Sequence, residues 1–169
     1  MSSACSVRNL LLSVSFLAWN VGCSRTAAHI GTHNIGERVQ LGPVVYTVLE
    51  AEWRDHLSTG SGESSPDKKY LLARLSITNA SASPITIPLL QVINAKDQSF
   101  TEVADVQGLQ DWLGLLRPIP PGGTEVGHAV FCISPGDYRL QLTDAGELDR
   151  ETIALVTIPF RVDLPAQVQ

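Results

Sequence analysis

Positive charge is scarce in this 169-residue chain: 12 Lys and Arg stand against 17 Asp and Glu, a formal net charge of −5. Neutralising phosphates needs a basic footprint, so no nucleic acid is expected as a partner. Cysteine is scarce as well, with only Cys5, Cys23 and Cys132. Long apolar runs are missing everywhere but at the N-terminus, which excludes a multi-span channel or transporter. Charged residues make up only 17% while 44% are hydrophobic, a globular composition and not that of a disordered chain. The length admits one domain and no comfortable second.

The one apolar run reads as an export signal, not as part of the fold. Arg8 is followed by Leu10 to Leu12, Val14, Phe16, Leu17, Ala18 and Trp19. A basic residue before a short apolar stretch is the signal-peptide pattern, and the run is too short to span a bilayer. It also lacks the polar face of an amphipathic core helix. Val21-Gly22-Cys23 closes the run and resembles the lipobox of bacterial lipoproteins, in which the cysteine becomes the acylated first residue. Asn20 departs from that pattern, which prefers an aliphatic residue three before the cysteine. The competing reading is ordinary cleavage after Thr26-Ala27-Ala28, releasing a soluble exported protein. Two or more acyl chains hold a protein stably where one binds reversibly. With Cys23 acylated, residues 1–22 are signal peptide, and Ser24 carries no aspartate-type inner-membrane retention signal. In a diderm cell that directs the protein to the periplasmic face of the outer membrane.

Processing at Cys23 takes away one arginine and no acid, so the mature net charge falls from −5 to −6. It also leaves Cys132 alone, so no internal disulfide is expected. Cys132 lies in the apolar string Ala129-Val130-Phe131-Cys132-Ile133. That context reads as a buried, inert cysteine, with a reactive exported thiol as the alternative. Residues 23–35 read as a polar tether. From Gly36 onward, strand patterns alternate with turn residues, and the domain is expected over residues 36–162 with a frayed tail at 163–169. Over Val44–Trp53 the alternation puts Val45, Leu49, Ala51 and Trp53 on one face and Tyr46, Val48, Glu50 and Glu52 on the other. Tyr70–Asn79 places Leu71, Ala73, Leu75 and Ile77 together. Pro88, within an expected strand from Ile85 to Ala95, marks an edge or a bulge. Leu109, Trp112, Leu113 and Leu116 recur at helical spacing and predict one short helical connection. About seven or eight short strands with regular turn signals predict an all-β antiparallel sandwich.

The ordered strings Ile35-Gly36-Glu37-Arg38-Val39, Gly42-Pro43-Val44-Val45-Tyr46-Thr47-Val48, Leu75-Ser76-Ile77-Thr78-Asn79, Pro121-Gly122-Gly123-Thr124 and Ser134-Pro135-Gly136 carry a resemblance. Together they resemble a bacterial domain family of unknown function with a telokin-like, immunoglobulin-like fold, covering residues 35–162. The resemblance implies an immunoglobulin-like sandwich and an exported lipoprotein, and brings no catalytic residues. Asp111-Trp112-Leu113-Gly114 falls in an elaborated connection relative to the simplest members.

The chemistry-bearing residues are scattered. There is no Gly-x-Ser-x-Gly elbow, and Gly60-Ser61-Gly62 sits in a loop that would not preorganise a nucleophile. No glycine loop precedes a helix to cradle phosphate. His29 and His33 lie four apart among poor helix formers with no acid or thiol nearby, so no metal is expected there. Asp144, Glu147, Asp149 and Glu151 lack the spacing of a calcium loop and read as a solvated hairpin tip. Asp55-His56 sits at a strand end, where neighbours point to opposite faces. The expectation is therefore a non-catalytic, lipid-anchored envelope protein without cofactor or metal. It would bind a protein or glycan of the envelope through loops or a sheet edge, with Leu109, Trp112, Leu113 and Leu116 as the candidate partner surface. The enzymatic alternative is a hydrolase in which His56, His128 and an acid meet in a cleft.

Overall fold

The computed structural model describes residues 28–59, 67–115, 117–144 and 152–160. In chain order its strands are β1 (Ala28–Asn34), β2 (Arg38–Leu41), β3 (Val44–Arg54), β4 (Ser58–Thr59), β5 (Lys69–Asn79), β6 (Ile85–Ile87), β7 (Gln91–Asn94), β8 (Ser99–Thr101), β9 (Val106–Gln107), β10 (Arg117–Ile119), β11 (Thr124–Ile133), β12 (Tyr138–Thr143) and β13 (Thr152–Ile158). One main sheet has the order β1-β13-β12-β7-β8 and the other β11-β5-β3-β2, with β10-β6 and β4-β9 as small two-stranded additions. The two main sheets face each other across one core. The expected all-β sandwich is what forms.

The core follows from alternation. Leu71, Ala73, Leu75 and Ile77 of β5 point inward with Ala129, Phe131 and Ile133 of β11 and meet Val92, Leu140, Leu142, Ala154 and Val156 of the opposite sheet. Tyr46 crosses the interior and its hydroxyl donates to the carbonyl of Thr143 at 2.7 Å. This is an inter-sheet hydrogen bond in a dry core, where an unmade donor is costly. β5 is apolar on both faces because its outer face is also covered: Tyr70, Leu72, Val106 and Val130 form a second cluster under Leu57, Leu109 and Trp112.

Several sequence expectations are corrected. The tether reading fails over 28–34, where the chain forms β1 and pairs parallel with β13, Ala28 opposite Thr152 and Asn34 opposite Thr157. An edge strand can be polar, which is why its sequence resembled a linker. The sandwich is accordingly not wholly antiparallel, and its two main sheets hold nine strands, not seven or eight. In β3 a bulge between Val48 and Glu50 adds one residue. It reverses the facing, so Val44, Tyr46 and Val48 point into the core and, beyond the bulge, Ala51 and Trp53 do. The strand expected from Ile85 to Ala95 is broken into β6 and β7 around Pro88, which has no amide to donate to a ladder. The helical connection does not form over Leu109–Leu115, which is turn and extended chain. Gly108, Asp111 and Gly114 adopt φ of 72°, 62° and 73°, and left-handed residues at this spacing interrupt a right-handed helix. The signal peptide, Cys23, Gly60-Ser61-Gly62, Leu116, Glu147, Asp149, Glu151 and the tail 163–169 lie outside the described residues.

Candidate functional site

After β8 the chain leaves the first sheet and crosses to the free edge of β11 as a strap, residues 102–115. Val103 N–H donates to the carbonyl of Val130 at 2.7 Å, His128 N–H to Asp111 at 2.6 Å, and Leu113 N–H to His128 at 3.1 Å. The strap thus pairs with part of an edge that would otherwise present bare backbone groups. Gly127 permits the close approach. A Cβ there would lie 2.4 Å from the Asp111 carbonyl oxygen and 3.0 Å from the Leu113 side chain. Leu109 and Trp112 cover the outer cluster on β5 and β11, and Leu113 packs against the main core.

A buried ion pair holds the root of the strap. The Glu102 and Arg117 side chains are 0% and 1% exposed and in direct contact through Oε2 and Nη2. Glu102 Oε1 also accepts from Leu90 N–H at 2.5 Å, and Arg117 Nε donates to the Gly114 carbonyl at 3.0 Å. Burial pushes the Glu102 carboxyl above the ordinary carboxylate range; Arg117 and the Leu90 amide pull the other way without overcoming it. Arg117 Nη1, Trp112 Nε1 and His128 Nδ1 are buried with no hydrogen-bond partner among the described residues.

Between the strap and β11 lies a cleft of about 450 Å³, lined by Asp111, Trp112, Leu113, Arg117, Glu125 and Val126 among others. A second cleft of about 420 Å³ lies at the bulge of β3, lined by Ile35, Leu49, Glu50, Trp53 and Pro159 among others. Among the described residues the exposed large hydrophobics are Leu49, Leu115, Val126 and Phe160. They fall two by two: Val126 lines the first cleft and Leu115 follows on its strap, while Leu49 lines the second and Phe160 stands edge-on to Trp53 at 5.5 Å.

The histidines lie on different elements. His128 lies opposite Arg74, which lies opposite Glu50 to which it donates at 3.3 Å. His56 is exposed beyond the end of β3, six residues past Glu50. β3 ends at Arg54, the chain bends at Asp55, and Leu57 beyond His56 packs on the outer cluster with Val130 and Trp112. Neither cleft is lined by a histidine. Asp55, beside His56, instead pairs with Lys69 at 2.8 Å, and that hydrogen bond holds its carboxyl below the usual range. His33 pairs with Glu37 at 3.2 Å. Among the described residues no three His, Cys, Asp or Glu side chains are grouped to hold a metal. Cys132 is half-buried against the outer cluster.

Of the four residues expected to form a partner surface, Leu109, Trp112 and Leu113 are half-buried in the strap, and Trp112 and Leu113 line its cleft. The Glu102–Arg117 pair at the strap's root was not legible. The two residues are 15 apart and neither spacing nor pattern joins them.

Fold and site together define an all-β sandwich with a strapped sheet edge and two tryptophan-lined clefts. The chain belongs to the domain of unknown function DUF4352, which matches residues 33–149. Its structure is similar to the yjhA protein of Bacillus subtilis, with TM-score 0.55 and 15% identity over 73% of this chain and 98% of that one. It is similar as well to a protein from Listeria monocytogenes of unknown function, with TM-score 0.57 and 12% identity over 74% and 82%. A third similar structure is ycdA of Bacillus subtilis, a presumptive lipoprotein, with TM-score 0.56 and 13% identity. That likeness covers 75% of this chain and spans 39% of ycdA. At these identities the likeness is one of fold. Among curated proteins none matches the chain.

Proposed function

We propose that this protein is a non-catalytic, lipid-anchored binding module of the bacterial cell envelope. It is exported, processed at Cys23 and held by its acyl chains, on the periplasmic face of the outer membrane in a diderm. The Val21-Gly22-Cys23 junction behind an apolar run supports the anchor, and the likeness to a presumptive lipoprotein agrees with it. The observation that carries the binding role is the strap cleft. Exposed Val126 sits there beside Trp112 and Arg117, each with a buried donor that has no hydrogen-bond partner among the described residues. An unmet buried donor costs about 1–3 kcal/mol. A partner that shifts the strap, supplies acceptors to those donors and lays an apolar group on Val126 recovers that cost. A protein or glycan of the envelope with both features fits.

The test is photo-crosslinking in intact cells from a reactive residue placed at Val126, beside the same residue placed at Lys96 on a remote turn. A discrete adduct from position 126 that is absent from position 96 supports the reading. No adduct, or the same adducts from both, contradicts it.

A further inference from the structure

The start of β1 fixes how far the domain can stand from its anchor. We infer that the sandwich cannot turn its Trp53 end to the anchoring bilayer. The end at which β1 begins, with the Gly42-Pro43, Ser81–Pro84 and Pro120–Gly123 turns, is held nearest the lipid headgroups. The inference rests on acylation at Cys23.

β1 begins at Ala28 opposite Thr152, the first residue of β13. That end of the sandwich also holds Thr143, paired with Ile153, and Gly42, whose Cβ position lies 3.6 Å from Asp144. It holds Val44 opposite Asn79, and Thr124 opposite Thr78. Ala80 N–H donates to the Pro43 carbonyl at 2.8 Å, which brings the 80–84 turn to the same end. At the other end lie Asn34 opposite Thr157, Tyr138 opposite Ile158 and Asn94, and Trp53, whose ring is 6.2 Å from that of Tyr138.

From Cys23 to Ala28 the chain takes five steps, at most about 18 Å when fully extended. The 11-residue strands β3 and β5 run about 35 Å from end to end at about 3.3 Å per residue. Turning the Trp53 end toward the bilayer would lift Ala28 some 35 Å above it, about twice what the link can reach. Had the chain been free as far as Gly36, about 45 Å of link would have allowed any orientation. Because β1 takes up seven of those residues, it works as a spacer limit as well as an edge strand. The strap cleft, with Val126 near the start of β11, then lies on the flank close to the membrane. The Trp53 cleft, lined also by Leu49, then lies toward the end farther from the membrane.

The test uses the full chain recovered from membranes with its acyl group and reconstituted into phosphatidylethanolamine–phosphatidylglycerol vesicles carrying a headgroup nitroxide quencher. A dye is attached through Ala82→Cys or Lys96→Cys in a Cys132→Ser background. The expected result is several-fold stronger quenching at position 82 than at 96. Inserting a long Gly/Ser segment between Ala27 and Ala28 should bring the two together. Equal quenching in acylated protein of native spacing, or stronger quenching at 96, overturns the orientation alone. Protein that arrives unacylated and does not bind vesicles overturns the anchor, and the orientation with it.

Discussion

Replacing Gly127 by alanine puts a methyl carbon 2.4 Å from the Asp111 carbonyl oxygen and 3.0 Å from the Leu113 side chain. A contact that short against backbone cannot persist, so either the strap or β11 must move. β11 is locked to β5 by ten paired residues, whereas the strap is held there by single hydrogen bonds, so the strap yields. His128 N–H then loses Asp111, and Leu113 N–H loses His128. At about 0.5–1.5 kcal/mol each, the two bonds account for about 1–3 kcal/mol. The expected loss is about 2 kcal/mol, a fall in Tm of roughly 5–10 °C for a domain of this size. Thermal unfolding followed by circular dichroism gives the stability, and amide hydrogen exchange locates it. Faster exchange should appear at Leu113 and His128 while β3 and β5 remain protected. Gly136→Ala is the control: its Cβ would meet only the Tyr138 ring at 3.8 Å, so it should stay within about 0.5 kcal/mol of wild type. A Gly127→Ala variant with unchanged Tm and unchanged exchange at those two amides would refute the strap geometry.

Other perturbations test separate joints of the fold. Tyr46→Phe removes the hydroxyl that reaches the Thr143 carbonyl and should cost about 1 kcal/mol in urea denaturation with the fold intact; no loss would place that hydroxyl elsewhere. Asn79, fully buried, donates to the carbonyls of Ser83 and Ile119 and accepts from the Ser81 amide and hydroxyl. Asn79→Ala should therefore cost about 3 kcal/mol or more, and a loss under about 1 kcal/mol would contradict that network. Glu102 sets a pH dependence. Its folded pKa lies above its unfolded one because burial outweighs the Arg117 pair and the Leu90 amide. The stability it contributes is complete below the unfolded value and is lost as pH rises through the folded one. Urea midpoints between about pH 4 and pH 8 should thus show wild type losing ground to Glu102→Gln as pH rises; a gap independent of pH would refute the assignment.

What the sequence showed and what it hid divide by the range of the interaction. Alternation in Leu71, Ala73, Leu75 and Ile77 is a local signal, and those four residues are core. The bulge at Leu49 is not local: it is set by pairing with β5, and it is what turns Ala51 and Trp53 to the core face together with Val48. Leu109, Trp112 and Leu113 showed helical spacing because both a helix and a folded-back strap bury residues three and four apart. Gly108 and Gly114, flanking them, were the available hint of left-handed backbone. β1 was hidden because its partner β13 lies more than a hundred residues away and its polar edge position left no apolar pattern. The strap cleft was half legible through Trp112. Arg117 and Glu102 were not, since a buried ion pair leaves no trace in periodicity.

Acylation at Cys23 is tested most directly by the intact mass of the protein recovered from its own membranes, beside a Cys23→Ala variant. The expected result is a chain that starts at Cys23, carries acyl groups and stays in the membrane fraction, with all three lost in the variant. An unmodified chain starting near His29 contradicts the anchor. Cleavage there would also cut into the first residue of β1, leaving a soluble exported domain free to meet its partner in any orientation.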